Sequence, residues 1–153
     1  MLACVRWHSI GVSSGQVYDL YPIQKTPTFN HLKRTHQLKT GALITASVVI
    51  PAILGGASKT EKDALTQFGQ HLGLLFQITD DILDVTSTQE VLGKTPHKDI
   101  LQEKTTYVSL LGLEKAQKFA QEEADQAKDA LHYFGTQQGP LTQLVDYIVN
   151  RKH

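Results

Sequence analysis

Three aspartates, Asp80, Asp81 and Asp84, interrupt the apolar run Gly73-Leu74-Leu75-Phe76-Gln77-Ile78-Thr79-Asp80-Asp81-Ile82-Leu83-Asp84. Carboxylates in such a setting are costly to bury unless they are paired or hold a cation. On a helix, Asp80 and Asp84 stand one turn apart, and Asp81 and Asp84 three residues apart. At ~100° per residue, Gly73, Gln77, Asp80, Asp81 and Asp84 share an arc of roughly 100°. Phe68, Leu72, Leu75, Phe76, Ile82 and Leu83 gather on the other side, within about 120° of one another. The pattern predicts one core face and one oxygen-rich face. Clustered helical carboxylates suit a hard cation such as Mg²⁺, which takes one or two protein carboxylates together with substrate phosphates.

The elements that must position these acids can be read on either side of them. Ser58-Lys59-Thr60-Glu61 has the form of a capping box, with Ser58 as N-cap and Glu61 at N3. It opens a long helix that the apolar pattern carries to about Val85 or Thr86. Upstream, Thr28 follows Pro27 as an N-cap. A second helix then runs through Leu32, Leu38, Ala42, Val49 and Ile50, with Pro51 expected to kink or end it and Gly55-Gly56 to stop it. Residues 1–20 are ambiguous, because Gly11, Ser13, Ser14 and Gly15 weaken a helix there, and Tyr21 to Pro27 reads as a loop. Thr86 to Ile100 reads as a polar connector, long enough to suggest a function of its own. A short helical segment follows from Thr105 to Leu111, then a polar helix from Leu113 to Phe134 and a turn from Gly135 to Pro140. The last helix, Leu141 to Asn150, carries Leu144, Val145 and Ile148 as its apolar stripe. No β-alternation or internal repeat is present. The fold class is all-α, a helical bundle.

Composition narrows the chemistry. The chain has 153 residues, with 15 basic and 15 acidic side chains in balance, which argues against nucleic acid or a polybasic membrane anchor as partner. The single cysteine, Cys4, excludes an internal disulfide and fits a reducing compartment. The apolar run Leu43 to Leu54 is too short to cross a bilayer, so no transmembrane segment is expected. The N-terminus lacks the form of a signal peptide, and the expected location is cytoplasmic. His31, His36, His71 and His97 have no metal-site spacing and read as surface or core residues. Gly69 and Gly73, four apart on the aspartate helix, serve either close helix packing or room for a substrate.

The longer pattern around the aspartates resembles the second aspartate-rich motif of the trans-polyprenyl diphosphate synthases, the farnesyl and geranylgeranyl diphosphate synthase family. Its form G-x-x-F-Q-x-x-D-D-x-x-D stands complete as Gly73, Phe76, Gln77, Asp80, Asp81 and Asp84. Other matches fall in order: Gly15-Gln16 with Asp19, then His36 with Lys39-Thr40-Gly41-Ala42-Leu43, then Leu92-Gly93-Lys94, Asp99 and Lys104 with Thr106-Tyr107. The resemblance covers roughly residues 11–150, and residues 1–10 match it poorly.

The resemblance implies a partial isoprenoid-synthase-type fold. It also implies an enzyme that binds an allylic diphosphate through Mg²⁺ held between two facing aspartate motifs. The diphosphate departs, an allylic cation forms, and isopentenyl diphosphate attacks it. Charge on the departing oxygens is met by metal and lysine, which is electrostatic catalysis. By resemblance the metal ligands are Asp80, Asp81 and Asp84, and the catalytic groups Asp80, Asp81 and Lys39. The diphosphate contacts are Lys39, Thr40, Gln77, Lys94 and Lys104. The family's first aspartate motif and its residues for isopentenyl diphosphate belong upstream, so this chain corresponds to about the C-terminal half. It is expected to be inactive alone, and to work as a homodimer or with a complementing N-terminal half. A half-bundle should also expose apolar faces that favour association. In the connector, His97 and Glu103 replace residues that are often glycine in the family. The alternative reading is a truncated, non-catalytic or regulatory prenyltransferase-like subunit.

Overall fold

The computed structural model describes residues 28–92 and 105–151, apart from the side chains of 88–92 and 136–138. Helix α1 spans Phe29–His36 and begins where the sequence puts it, with the Thr28 hydroxyl accepting the His31 N–H. A π-helical turn, Gln37–Gly41, joins it without a break to α2, Ala42–Leu54. Helix α3 is Lys59–Leu92, α4 is Tyr107–Leu111, α5 is Leu113–Ala130 and α6 is Gly139–Asn150. A 3₁₀ segment, His132–Gln138, links the last two. Among the described residues every regular element is helical.

The capping box forms as expected. The Ser58 N–H donates to a Glu61 carboxylate oxygen at 2.6 Å, and the Glu61 N–H to the Ser58 hydroxyl at 3.2 Å. Hydrogen bonds from the Ser58 side chain and backbone hold the Glu61 carboxyl below its usual range.

Several expected features move. The polar helix ends at Ala130 rather than Phe134, and the last helix opens at Gly139 rather than Leu141, taking Pro140 into its first turn. Helix α3 does not stop at Val85 or Thr86 but continues to Leu92, since 86–92 contains no glycine or proline to break it. Pro51 lies inside α2, which continues to Leu54. Ser47 and Pro51 are both exposed on one face of the helix, so the Ser47 carbonyl that proline leaves without a donor can face water. In α6 the buried stripe is Val145 and Ile148 with Leu141 beside them, while Leu144 is 40% exposed. Leu141, Val145 and Ile148 follow the i, i+4, i+7 spacing of one face; Leu144 does not.

Helix α3 is the axis of the molecule. It packs against α2 and the π turn on one side and against α5 on the other, with α6 at its far end. Phe68, Leu72, Leu74, Leu75 and Ile78 are buried on it. Around it the core continues through Leu32, Tyr107, Ala116, Ala120, Ala124, Ala127, Leu131 and Val145. The small side chains of α5 let that helix lie close. Phe29, Tyr107 and Phe119 bring α1, α4 and α5 together, with ring centroids 5.3–6.0 Å apart. The division of α3 into two faces is therefore narrower than the sequence suggests. Gly73 is inside, and the polar face opens only from Gln77 onward.

The opposite flank of α2 is open. Leu43 is 60% exposed and Leu54 83%. The continuous helix Phe29–Leu54, 26 residues long, has the length and apolar composition to cross a bilayer. The apolar run after Leu43 gives only part of this length; the π turn joins the rest to it. In the fold one side of this helix packs on α3, with Thr45 and Val49 buried.

Candidate diphosphate and metal site

Where α3 meets the π turn, glycines set the spacing. A β-carbon on Gly69 would stand 2.6 Å from the Thr45 α-carbon, and one on Gly73 would stand 2.6 Å from the Gly41 α-carbon. Of the two uses expected for these glycines, close packing is the one built. The two contacts advance four residues along α3 while retreating four along α2, so the helices run antiparallel. Continued in the same register, Lys39 and Thr40 lie alongside α3 between the levels of Gly73 and Gln77. Thr45, buried against Gly69, turns its hydroxyl back to the Gly41 carbonyl at 2.7 Å. Lys39 and Thr40 are half-buried on the π turn. Such wide turns recur at functional sites.

The three aspartates have different surroundings. Asp80 keeps 44% of its side chain exposed and pairs with the guanidinium of Arg151. Asp84, one turn on, is exposed. Asp81 is 3% exposed and accepts the Tyr107 N–H at 2.8 Å, at the start of α4. That amide belongs to the first turn of a helix, where donors lack intrahelical partners, so Asp81 ties α3 to α4. Gln77 is half-buried on the same open side as Asp80 and Asp84. Lys94 and Lys104 lie outside the described residues, as do Gly15, Gln16, Asp19, Gly93, His97, Asp99 and Glu103.

Among the described residues no three acids, histidines or cysteines converge as a closed metal cage. Asp80 and Asp84 supply hard oxygen donors one turn apart on the accessible face. Mg²⁺ needs no closed cage, since it takes one or two carboxylates and completes its shell with water and substrate phosphate. The donor chemistry of this face fits that ion.

Sequence reasoning missed Arg151. Its guanidinium donates to Asp80 and, at 3.3 Å, to the Phe76 carbonyl, and it lies 4.5 Å from the centre of the Phe76 ring. Phe76, on the core face by periodicity, is half-buried: it packs against the core and forms the floor under this cation. No local signal in the sequence links Arg151 to residues 71 positions away.

A family model for polyprenyl synthetase matches residues 1–148. The chain belongs to the polyprenyl synthetase family. Among curated relatives, a chloroplastic geranylgeranyl pyrophosphate synthase from Capsicum annuum is 46% identical over 143 residues, which is 92% of this chain and 39% of that protein. A putative farnesyl-diphosphate synthase from Marinomonas sp. MED121 superposes with a TM-score of 0.78 at 33% identity, covering 95% of this chain and 49% of that one. A geranyltransferase from Helicobacter pylori, solved with magnesium and isoprenyl diphosphate, gives a TM-score of 0.72 at 31% identity, covering 97% of this chain and 50% of that one. The polyprenyl synthetase chain thus spans half or less of the length of these relatives, in the all-α fold expected from its sequence.

Proposed function

We propose that this chain is the C-terminal, aspartate-bearing part of a prenyltransferase that joins an allylic diphosphate to isopentenyl diphosphate in isoprenoid biosynthesis. The observation that carries the reading is the pairing of two features. Asp80 and Asp84 stand on the open face of α3, and the Gly73–Gly41 contact seats the Lys39-Thr40 turn beside the same helix. Family membership and the solved relative with magnesium and isoprenyl diphosphate support it.

On this reading Asp80 and Asp84 hold Mg²⁺, which when bound neutralises the diphosphate oxygens as they depart. Asp81 acts behind them, fixing α3 against α4. Lys39 and Thr40 contact the diphosphate, and Lysine suits that role as a movable point charge. Gln77 orients the allylic end, and Lys94 and Lys104 add positive charge from the connector. Apolar side chains keep water from the cation. The first aspartate motif and the isopentenyl diphosphate contacts come from a complementing N-terminal half. The exposed apolar flank of α2, with Leu43 and Leu54, is a surface for that half or for a second copy. The compartment is the cytoplasm.

Titration of the chain with an allylic diphosphate tests the site. Weak binding is expected, dependent on Mg²⁺ and lost in Asp80→Ala. Binding indifferent to both chelator and substitution overturns the metal assignment. Co-expression with an N-terminal half from a relative should give condensation only in the mixture; full activity of the chain alone overturns the two-part reading.

A further inference from the structure

The contact between Arg151 and Asp80 has a direction built into it. Arg151 follows the last residue of α6, Asn150, and lies three residues beyond the stretch matched by the family model, which ends at 148. Its side chain is 13% exposed, while that of Asp80 is 44% exposed. The cation is therefore held from the protein side, by the Phe76 carbonyl at 3.3 Å and the Phe76 ring at 4.5 Å, and it reaches Asp80 from beneath. Its Nε is buried without a hydrogen-bond partner among the described residues. A guanidinium satisfied by design would use that donor. This one leaves it unused while it reaches Asp80, so the pose is one that a better partner can replace.

We infer that Arg151 is the resident counter-cation of Asp80, a guard on the carboxylate that an incoming divalent metal displaces. The inference rests on the reading of Asp80 as a metal ligand. The guanidinium occupies Asp80 Oδ1 and meets the negative charge that would draw a divalent ion. Metal and arginine therefore compete for the same carboxylate, and loading the site favours opening of the ion pair. Arg151 is a positioning residue in this scheme, since it acts through Asp80. The position of α6 is thereby linked to occupancy of the site on α3.

The test uses the whole chain and Mn²⁺ or Mg²⁺ alone. Arg151→Met keeps an apolar stem on Phe76 and removes the guard. Mn²⁺ affinity, read by the electron-spin resonance signal of free Mn²⁺, should rise roughly two- to fivefold, the range set by a half-exposed ion pair. In the wild-type chain, the Nε–H resonance of Arg151, one of three arginines, should shift as Mg²⁺ saturates. The Arg151→Met spectrum assigns that resonance. Unchanged or weaker Mn²⁺ affinity in Arg151→Met overturns the guard while leaving the metal site standing. So does an Arg151 resonance that stays put in wild type at saturating Mg²⁺. Failure of both chains to take up Mn²⁺ at millimolar concentrations overturns the metal reading and the guard together. If Arg151→Met loses helicity by circular dichroism, the wild-type Mg²⁺ titration decides alone.

Discussion

Gly73 lies against Gly41 so closely that a β-carbon on Gly73 would come within 2.6 Å of the Gly41 α-carbon and 3.3 Å of the Gly41 nitrogen. What it would strike is backbone, which cannot rotate out of the way. Gly73→Ala must therefore push α3 away from the Lys39-Thr40 turn. The expected cost is about 1–3 kcal/mol, the usual penalty for overpacking, or roughly 3–10 °C in thermal midpoint for a domain of this size. Gly69→Ala meets the Thr45 α-carbon at 2.6 Å and should cost a similar amount. Gly139→Ala, with nothing within 4 Å, should leave the midpoint nearly unchanged. Thermal unfolding followed by circular dichroism measures all three. If helix separation matters to the site, Gly73→Ala also weakens diphosphate binding more than Gly69→Ala does, because Gly41 is next to Thr40.

Asp81 and Asp80 should behave differently although they are neighbours. Asp81→Ala strips the acceptor from the buried Tyr107 N–H, and an abandoned buried donor costs about 1–3 kcal/mol. Asp81→Asn keeps an oxygen there and should recover most of the loss. Asp80→Asn removes the charge but keeps an oxygen for Arg151, so it should cost less stability than Asp81→Ala and abolish metal uptake. Urea midpoints and Mn²⁺ affinities measured on the three variants separate the roles. Equal loss of metal affinity in Asp80→Asn and Asp81→Asn would contradict the assignment of Asp81 as a structural tie.

Much of this was legible in the residues because the signals are local. Ser58 and Glu61, or Thr28 after Pro27, cap their helices using contacts three residues apart, and a reader of the sequence sees both partners at once. The aspartate helix was legible for the same reason. Its surroundings were not. Helical periodicity puts Asp80 and Asp81 in one arc, but what each meets depends on α4 and α6, distant in the chain. The wide turn at Gln37–Gly41 has no signature in helix propensities, since these rank residues for helix formation and do not separate a π turn from an α turn. The end of α3 is hidden because polar residues after Val85 look like a connector, although none of them breaks a helix before Gly93.

Glu123 is the other charged group at the heart of the bundle. Its side chain is 6% exposed, and it meets Lys33 at 3.4 Å and His71 at 2.6 Å. Lys33 also lies 5.3 Å from the centre of the Phe119 ring. One carboxylate therefore joins α1, α3 and α5. Lys33→Met or His71→Leu alone leaves Glu123 one partner, and each should cost no more than about 1–2 kcal/mol. The double variant leaves a buried carboxylate unpaired, for which about 3–5 kcal/mol is expected. A double-mutant cycle should thus show the pair losing more than the sum of the singles. Strict additivity would mean that Glu123 is already served by water or another partner.

The Tyr107 phenol presents the opposite case, a polar group buried with no hydrogen-bond partner among the described residues. Its ring is fully enclosed, packed by Phe29, Phe119 and His36. Burial is the main force raising its pKa far above the usual tyrosine value, with the charges of Asp81 and Glu123 adding to the shift. An acid whose folded pKa is raised contributes its full stability below the unfolded pKa and loses it as pH climbs. The unfolded phenol ionises near pH ~10, while the folded one stays protonated. Above that point unfolding releases a proton, and stability falls by roughly 1.4 kcal/mol per pH unit until the folded pKa is reached. Tyr107→Phe removes both the unpaired hydroxyl and this titration. At pH 7 the variant should be as stable as wild type or more so, since deleting a polar group without a partner relieves its desolvation cost. Between pH 10 and 11 its advantage should widen by about 1 kcal/mol, since half of the unfolded phenol is already ionised at pH ~10. Urea midpoints of the two chains at pH 7, 10 and 11 measure the difference. A Tyr107→Phe chain that is less stable at pH 7 would mean that the hydroxyl has a partner after all, and a constant gap across the three pH values would mean that the phenol ionises within the fold.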